Sequence, residues 1–179
     1  MATARLCSKD TTGRIAKERD RKALLDVADR NERHIRSLLR FIVLRALGEC
    51  DNPIAEVVRR TGCKSAEAKK IIYDEDWTTP LRMQTIFQVC EGMNIGVKAY
   101  ESSDMDSALK EIALVFVTAK INRDWPLETL SFESGISIPT LRKVVNYQST
   151  HPDCSLRQVC IVASTLEVPF DLHFYPSIA

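Results

Sequence analysis

The hydrophobic positions of this chain repeat after 73 residues. When residues 35–100 are placed on residues 108–173 without a gap, the apolar positions of the two stretches coincide, although few side chains are identical. Gly62 then falls on Gly135. A shared apolar template with unlike surfaces predicts one small fold that is used twice. We call these stretches the first and second repeats.

Each repeat is predicted to contain four helices. We expect them at about 34–48, 53–61, 65–75 and 81–93 in the first repeat, and at about 106–121, 126–134, 138–147 and 154–166 in the second. Asn52 and Asp124 are expected to cap the second helix of each repeat, because a proline follows each of them closely. The closing stretch 172–175 is expected to be a small strand or an apolar tail.

These elements predict an all-α protein with two four-helix domains in tandem, preceded by a charged N-terminal helix. The predicted units are a basic N-terminal segment and helix (1–33), a first domain (34–100) and a second domain (105–176).

A heptad seam runs through the predicted N-terminal helix. It consists of Leu24, Ala28, Asn31, Ile35, Leu38 and Ile42, spaced alternately by four and three residues. One interpretation is a single long helix whose stripe packs on its own domain. The other is a short two-chain coiled coil in which Asn31 sets the register. The second interpretation predicts a homodimer with Leu24, Ala28, Asn31 and Ile35 in its interface.

The charge distribution is more informative than the net charge of +1. Residues 1–33 hold nine basic and six acidic side chains, residues 34–104 hold ten of each, and residues 105–179 hold six basic and eight acidic. The overall balance therefore gives little support to nucleic-acid binding. No stretch approaches the roughly 18 apolar residues of a membrane helix. The amino terminus also lacks the apolar centre of a signal peptide, so we expect a cytoplasmic protein with no membrane partner.

Residues that catalysis or metal binding would need do not fall into recognisable patterns. The three histidines share no ligand spacing with each other or with a cysteine, and no two of the six cysteines form a CxxC pair. Cys90 and Cys160 lie in apolar helical stripes, which indicates reduced thiols in the core. We therefore expect no enzymatic activity, no metal site and no cofactor.

The residues around Gly62 and Gly135 indicate a specific arrangement of two helices. Two helices that cross steeply need a tight turn, and glycine adopts the left-handed conformation there at little cost. Val57 and Ala68 flank Gly62 at distances that let two helices bury their inner faces together. The outer face of the second of these helices then stays free, and such a face suits the major groove of DNA.

This arrangement resembles the helix-turn-helix domains of the Cro and lambda-repressor-like family, also called the XRE family. The second repeat is the closer match, through Pro126-Leu127-Glu128-Thr129-Leu130-Ser131-Phe132-Glu133-Ser134-Gly135-Ile136-Ser137-Ile138-Pro139-Thr140-Leu141-Arg142-Lys143-Val144. The resemblance covers residues 108–173 and, through the repeat, residues 35–100. The first repeat departs from the family at Val58, where a small residue is preferred.

Family members place the start and outer face of the third helix in the major groove. Carried over, the reading positions are Lys64, Ser65, Ala66, Lys69 and Lys70 in the first repeat, and Ser137, Ile138, Pro139, Arg142 and Lys143 in the second. Arg59 and Arg60 add charge to the first set and suit phosphates or guanine edges, unless all these cations are merely solvated. The acidic run 74–76 is expected to point away from DNA.

The resemblance implies a sequence-specific regulator of transcription that binds duplex DNA, of a kind common in bacteria and phages. The alternative is an interaction protein that uses the same fold to bind RNA polymerase or another regulator, since folds do not fix functions. Ile138 and Pro139 in the second repeat suit either a thymine methyl group or a protein surface.

Overall fold

The computed structural model describes residues 7–73, 79–102 and 104–176, and the side chains from residue 18 onward within these ranges. The described residues form eight helices and one small sheet. The helices are α1 (Cys7–Leu47), α2 (Pro53–Thr61), α3 (Ser65–Ile72), α4 (Met83–Gly92), α5 (Met105–Asn122), α6 (Leu127–Ser134), α7 (Ile138–Val144) and α8 (Leu156–Thr165). The strands are β1 (Ile95–Lys98) and β2 (His173–Pro176).

The predicted mainly helical architecture is confirmed, and the helix positions agree within a few residues except at the start of α1. The closing stretch forms strand β2, which pairs antiparallel with β1 so that Val97 lies opposite Phe174. Asn52 caps α2, because its Oδ1 accepts a hydrogen bond from the Ala55 N–H at 3.1 Å. The expected cap at Asp124 is wrong, since α6 begins one residue after Pro126.

Helix α1 connects the two repeats. It continues without a break from the predicted N-terminal segment into the first repeat, and its 41 residues span roughly 60 Å. Its N-terminal part packs along α8 of the second repeat, while its C-terminal part packs on α2 and α3 of the first. Ile35, Leu39 and Val43 are buried in the core that both repeats share.

The first four positions of the heptad seam, Leu24 to Ile35, pack within the chain, whereas Leu38 is exposed. Ala28 and Ile35 are fully buried, and the Asn31 side-chain amide donates a hydrogen bond to the carbonyl of Phe170 at 2.7 Å. Leu24 is half-buried and lines a cavity with the segment that follows α8. The seam therefore follows the long-helix interpretation, although it packs largely on the second repeat. The structure therefore does not support the expected coiled-coil interface between two chains, because Ala28, Asn31 and Ile35 already have partners within one chain.

A buried ion pair lies where α1 meets α8. Glu32 and Arg36 are 2.8 Å apart with side chains only 3% exposed, and Arg36 also donates to the carbonyl of Thr79 at 2.7 Å. Arg157 on α8 lies 2.9 Å from Asp29 and 3.9 Å from Glu32. Burial raises the pKa of the Glu32 carboxyl, and the neighbouring guanidinium of Arg36 opposes that shift. A carboxylate at this depth needs these partners to stay ionised.

Candidate nucleic-acid interface

Each repeat places two helices around a left-handed glycine. Gly62 caps the C-terminus of α2 with a φ of 68°, and α3 begins three residues later. Gly135 caps the C-terminus of α6 with a φ of 70°, and α7 follows after the same interval. The left-handed conformation predicted for both glycines is confirmed. It disfavours any residue with a Cβ atom.

A hydroxyl group stabilises both turns in the same way. Thr61 Oγ1 donates to the carbonyl of Val57 at 2.8 Å and accepts from the N–H of Cys63 at 3.2 Å. In the second repeat, Ser134 makes the same two bonds at 2.6 and 3.2 Å. Neither hydroxyl residue was predicted from the sequence to have a role in the turn. The signal was available, because a hydroxyl residue precedes the turn glycine in both repeats.

The Ser134→Ala variant is expected to lower the free energy of unfolding by about 1–2 kcal/mol. Ser134 is buried, so its removal leaves the N–H of Ile136 without its partner in the turn. Ser137→Ala is the matched control, because Ser137 is exposed and, among the described residues, its hydroxyl bonds to the Thr140 hydroxyl at 3.0 Å. Urea unfolding of the two variants measures the difference. Equal losses would contradict the structural role of Ser134.

The outer face of α3 is exposed and basic. Lys64, Ser65, Ala66 and Lys69 are all exposed. Within the described ranges, neither lysine of this set forms an ion pair. The neighbouring acidic residues 74–76, which were expected to point away from DNA, lie outside the described residues. Within the predicted DNA-contact set of the first repeat, Lys64 and Lys69 are therefore the cations most available to a ligand.

The other three cations among the predicted DNA-contact residues of the first repeat have acidic partners. Arg59 and Arg60 each lie 2.6 Å from Glu56, and these hydrogen bonds lower the pKa of the Glu56 carboxyl to about 2. Lys70 lies 2.7 Å from Glu67, and its side chain is only 20% exposed. These pairs reduce the positive charge of the surface, although Arg59 keeps 70% of its side chain exposed.

A polar groove lies beside the start of α3. It has a volume of about 370 Å³, and its lining includes Lys64 together with Arg82, which precedes α4, and with Gln84 and Gln88 on α4. Gln88 donates to the carbonyl of Thr61 at 3.1 Å, which ties α4 to the turn. Arg82 and these two glutamines were not predicted as site residues from the sequence, because no local sequence pattern shows that the start of α4 lies next to the start of α3.

The second repeat presents a less charged surface. Ser137, Pro139, Arg142 and Lys143 are exposed, whereas Ile138 is half-buried. The structure therefore exposes most of the predicted reading positions in this repeat too. The guanidinium of Arg21 on α1 lies over Gly135, where an added Cβ atom would collide with it. This arginine adds a positive charge next to the second turn, at the C-terminus of α6.

Neither a metal-binding cluster nor a membrane-spanning helix is found in the described part of the chain. Among its residues, no group of three or more His, Cys, Asp and Glu side chains could hold a metal ion. None of its helices is long and apolar enough to cross a membrane. Cys90 and Cys160 are buried as predicted, and burial raises the pKa of the Cys90 thiol to about 12.

Comparison with protein-family models, with curated proteins and with solved structures finds no match for this chain. The resemblance to the XRE family therefore remains a prediction from sequence.

Proposed function

We propose that this protein is a cytoplasmic regulator of transcription that binds duplex DNA in a sequence-specific manner, using two helix-turn-helix domains in tandem. The observation that carries the proposal is the exposed face of α3, supported from behind by α2 and by the left-handed turn at Gly62. A short helix held in this way, with a basic outer face, fits the major groove. The homodimer through the α1 seam is not part of the proposal.

The first repeat is assigned most of the phosphate contacts. Residues 53–73 contain five basic and two acidic side chains, whereas residues 126–145 contain two of each. Both acidic residues of the first set, Glu56 and Glu67, bond to neighbouring cations, so a surplus of three positive charges remains. Positive charge beside a reading helix supplies affinity that does not depend on sequence, while contacts to base edges select the site.

Selection of bound fragments from a pool of random duplex DNA tests this function. The expected result is one enriched motif, because the predicted reading positions combine cations with small and apolar side chains. Bound fragments without any common motif would contradict sequence-specific recognition.

A second candidate function is favoured by an apolar stripe on the outer side of α1. Leu38, Phe41 and Leu44 are 36%, 65% and 38% exposed, and their spacing places them on one face of the helix. Between residues 30 and 47 the only acidic residue is Glu32, which is buried. Along α1, the exposed charged residues beside the stripe are therefore basic, which suits an acidic amphipathic helix of another regulator or of RNA polymerase. A selection that returns no motif would favour this candidate.

A further inference from the structure

The two repeats face each other across an approximate two-fold axis. The Met83 N–H donates to the carbonyl of Cys154 at 2.9 Å, and the Leu156 N–H donates to the carbonyl of Leu81 at 2.8 Å. These two bonds exchange under the repeat, since a shift of 73 residues places Leu81 on Cys154 and Met83 on Leu156. At this contact, equivalent residues therefore make equivalent hydrogen bonds. This is the defining property of an isologous interface, here formed within one chain.

Several further contacts hold the repeats together. Strand β1 follows the first repeat's last helix and pairs with β2 at the end of the chain. The Tyr100 hydroxyl donates to the carbonyl of Pro169 at 2.8 Å. The stretch that joins the two predicted domains is also held at its start, because the backbone N–H groups of Glu101 and Ser102 each lie 3.1 Å from one carboxylate oxygen of Glu111. The helix α1 packs on both repeats. The chain is thus one packed unit and differs from two domains on a flexible tether.

The surfaces related by this axis differ in chemistry. The start of the third helix is Lys64-Ser65-Ala66 in the first repeat and Ser137-Ile138-Pro139 in the second. A symmetric homodimer presents two identical reading helices and therefore reads a palindrome. A chain with an internal two-fold axis but unlike reading surfaces is not expected to prefer a palindrome.

We infer that a single chain binds a bipartite duplex site composed of two unlike half-sites, without needing a second copy of the protein. This inference rests on the proposed function. The first repeat reads one half-site with its lysines, and the second reads the other with Ser137, Pro139 and Arg142. Because the repeats are packed together, the distance between the half-sites is fixed.

The test uses the full-length protein and the motif from the duplex selection. The expected motif has two different halves in fixed spacing, and the complex is expected to have the mass of one chain per duplex. Inserting five base pairs between the halves turns them to opposite faces of the duplex. For the packed chain we expect a loss of affinity of roughly 100-fold, comparable to losing the contacts of one half-site. A flexible tether would limit the loss to roughly threefold.

A double variant in the second repeat shows which half-site that repeat contacts. Arg142→Ala/Lys143→Ala is expected to weaken binding, and base changes in the second half-site should then cost less than they cost the unmodified protein. A palindromic motif bound by two chains, a compact motif with one half only, or tolerance of the five-base-pair insertion would each overturn the inference while leaving DNA binding intact. The absence of any motif would instead overturn the proposed function, and this inference with it.

Discussion

The Glu32→Ala variant is expected to lose about 3–5 kcal/mol of folding stability, the largest effect among the substitutions considered. Removing this carboxylate takes away a charged partner that lies 2.8 Å from the buried Arg36 guanidinium, next to the Thr79 carbonyl. The pair lies on the side of α1 that packs against α8. Its loss is therefore expected to weaken the contact that joins the repeats. Urea unfolding at neutral pH measures the loss.

Asp26→Ala is the control on the same helix, because Asp26 is exposed and only its backbone carbonyl accepts a bond from Arg30. It is expected to change the free energy of unfolding by less than about 0.5 kcal/mol. Equal losses in the two variants would mean that the buried pair does not support the fold.

The pH dependence of folding stability also tests this ion pair, because the direction of the change can be predicted. Burial raises the pKa of Glu32 above its unfolded-state value, so the folded state binds the proton more tightly. The stability that this difference between the two pKa values of Glu32 provides is fully present below the unfolded-state pKa. It is lost as pH rises through the folded-state pKa. Glu32→Gln cannot titrate. The stability of the unmodified protein relative to this variant should therefore fall as pH rises through that window.

The Lys64→Ala/Lys69→Ala variant is expected to show the largest loss of DNA affinity. Both lysines are exposed on the outer face of α3, and within the described residues neither has an acidic partner. If each contacts one phosphate, the slope of log affinity against log salt concentration becomes shallower by about 1.8. We expect affinity near 0.1 M salt to fall by roughly 10- to 100-fold. Fluorescence anisotropy with a labelled duplex measures both quantities.

Lys98→Ala/Lys110→Ala is a control with the same change in charge. Lys98 lies on β1 and pairs with Glu101 at 2.9 Å, and Lys110 is exposed on α5. We expect this control to keep most of the slope of log affinity against log salt concentration. If the two double variants lose affinity and slope equally, binding follows net charge and α3 has no special role.

The sequence predicts the local structure well because local signals determine it. Gly62 and Gly135 take the left-handed conformation expected of them, and Asn52 caps α2 through its own side chain. The continuous helix α1 was harder to predict. Its stripe satisfies the heptad pattern equally well whether the partner is another chain or α8, since periodicity reveals a buried face and not the surface that covers it.

The candidate site was predicted in outline only. The exposed positions on α3 follow from the helical period, but the partners of its cations were not anticipated. The spacing of Glu56 to Arg59 and Arg60 already indicates side-chain contact on a helix. The pairing of Met83 with Cys154 and the polar groove next to α4 depend on tertiary packing. No local pattern in the sequence encodes such contacts.

The most direct test of the central claim compares two duplexes of equal composition. One carries the motif recovered by selection, and the other carries the same bases in scrambled order. At physiological salt concentration, a sequence-specific regulator is expected to bind the first at least roughly 1,000-fold more tightly. Equal affinities for the two duplexes would contradict sequence-specific recognition by this protein.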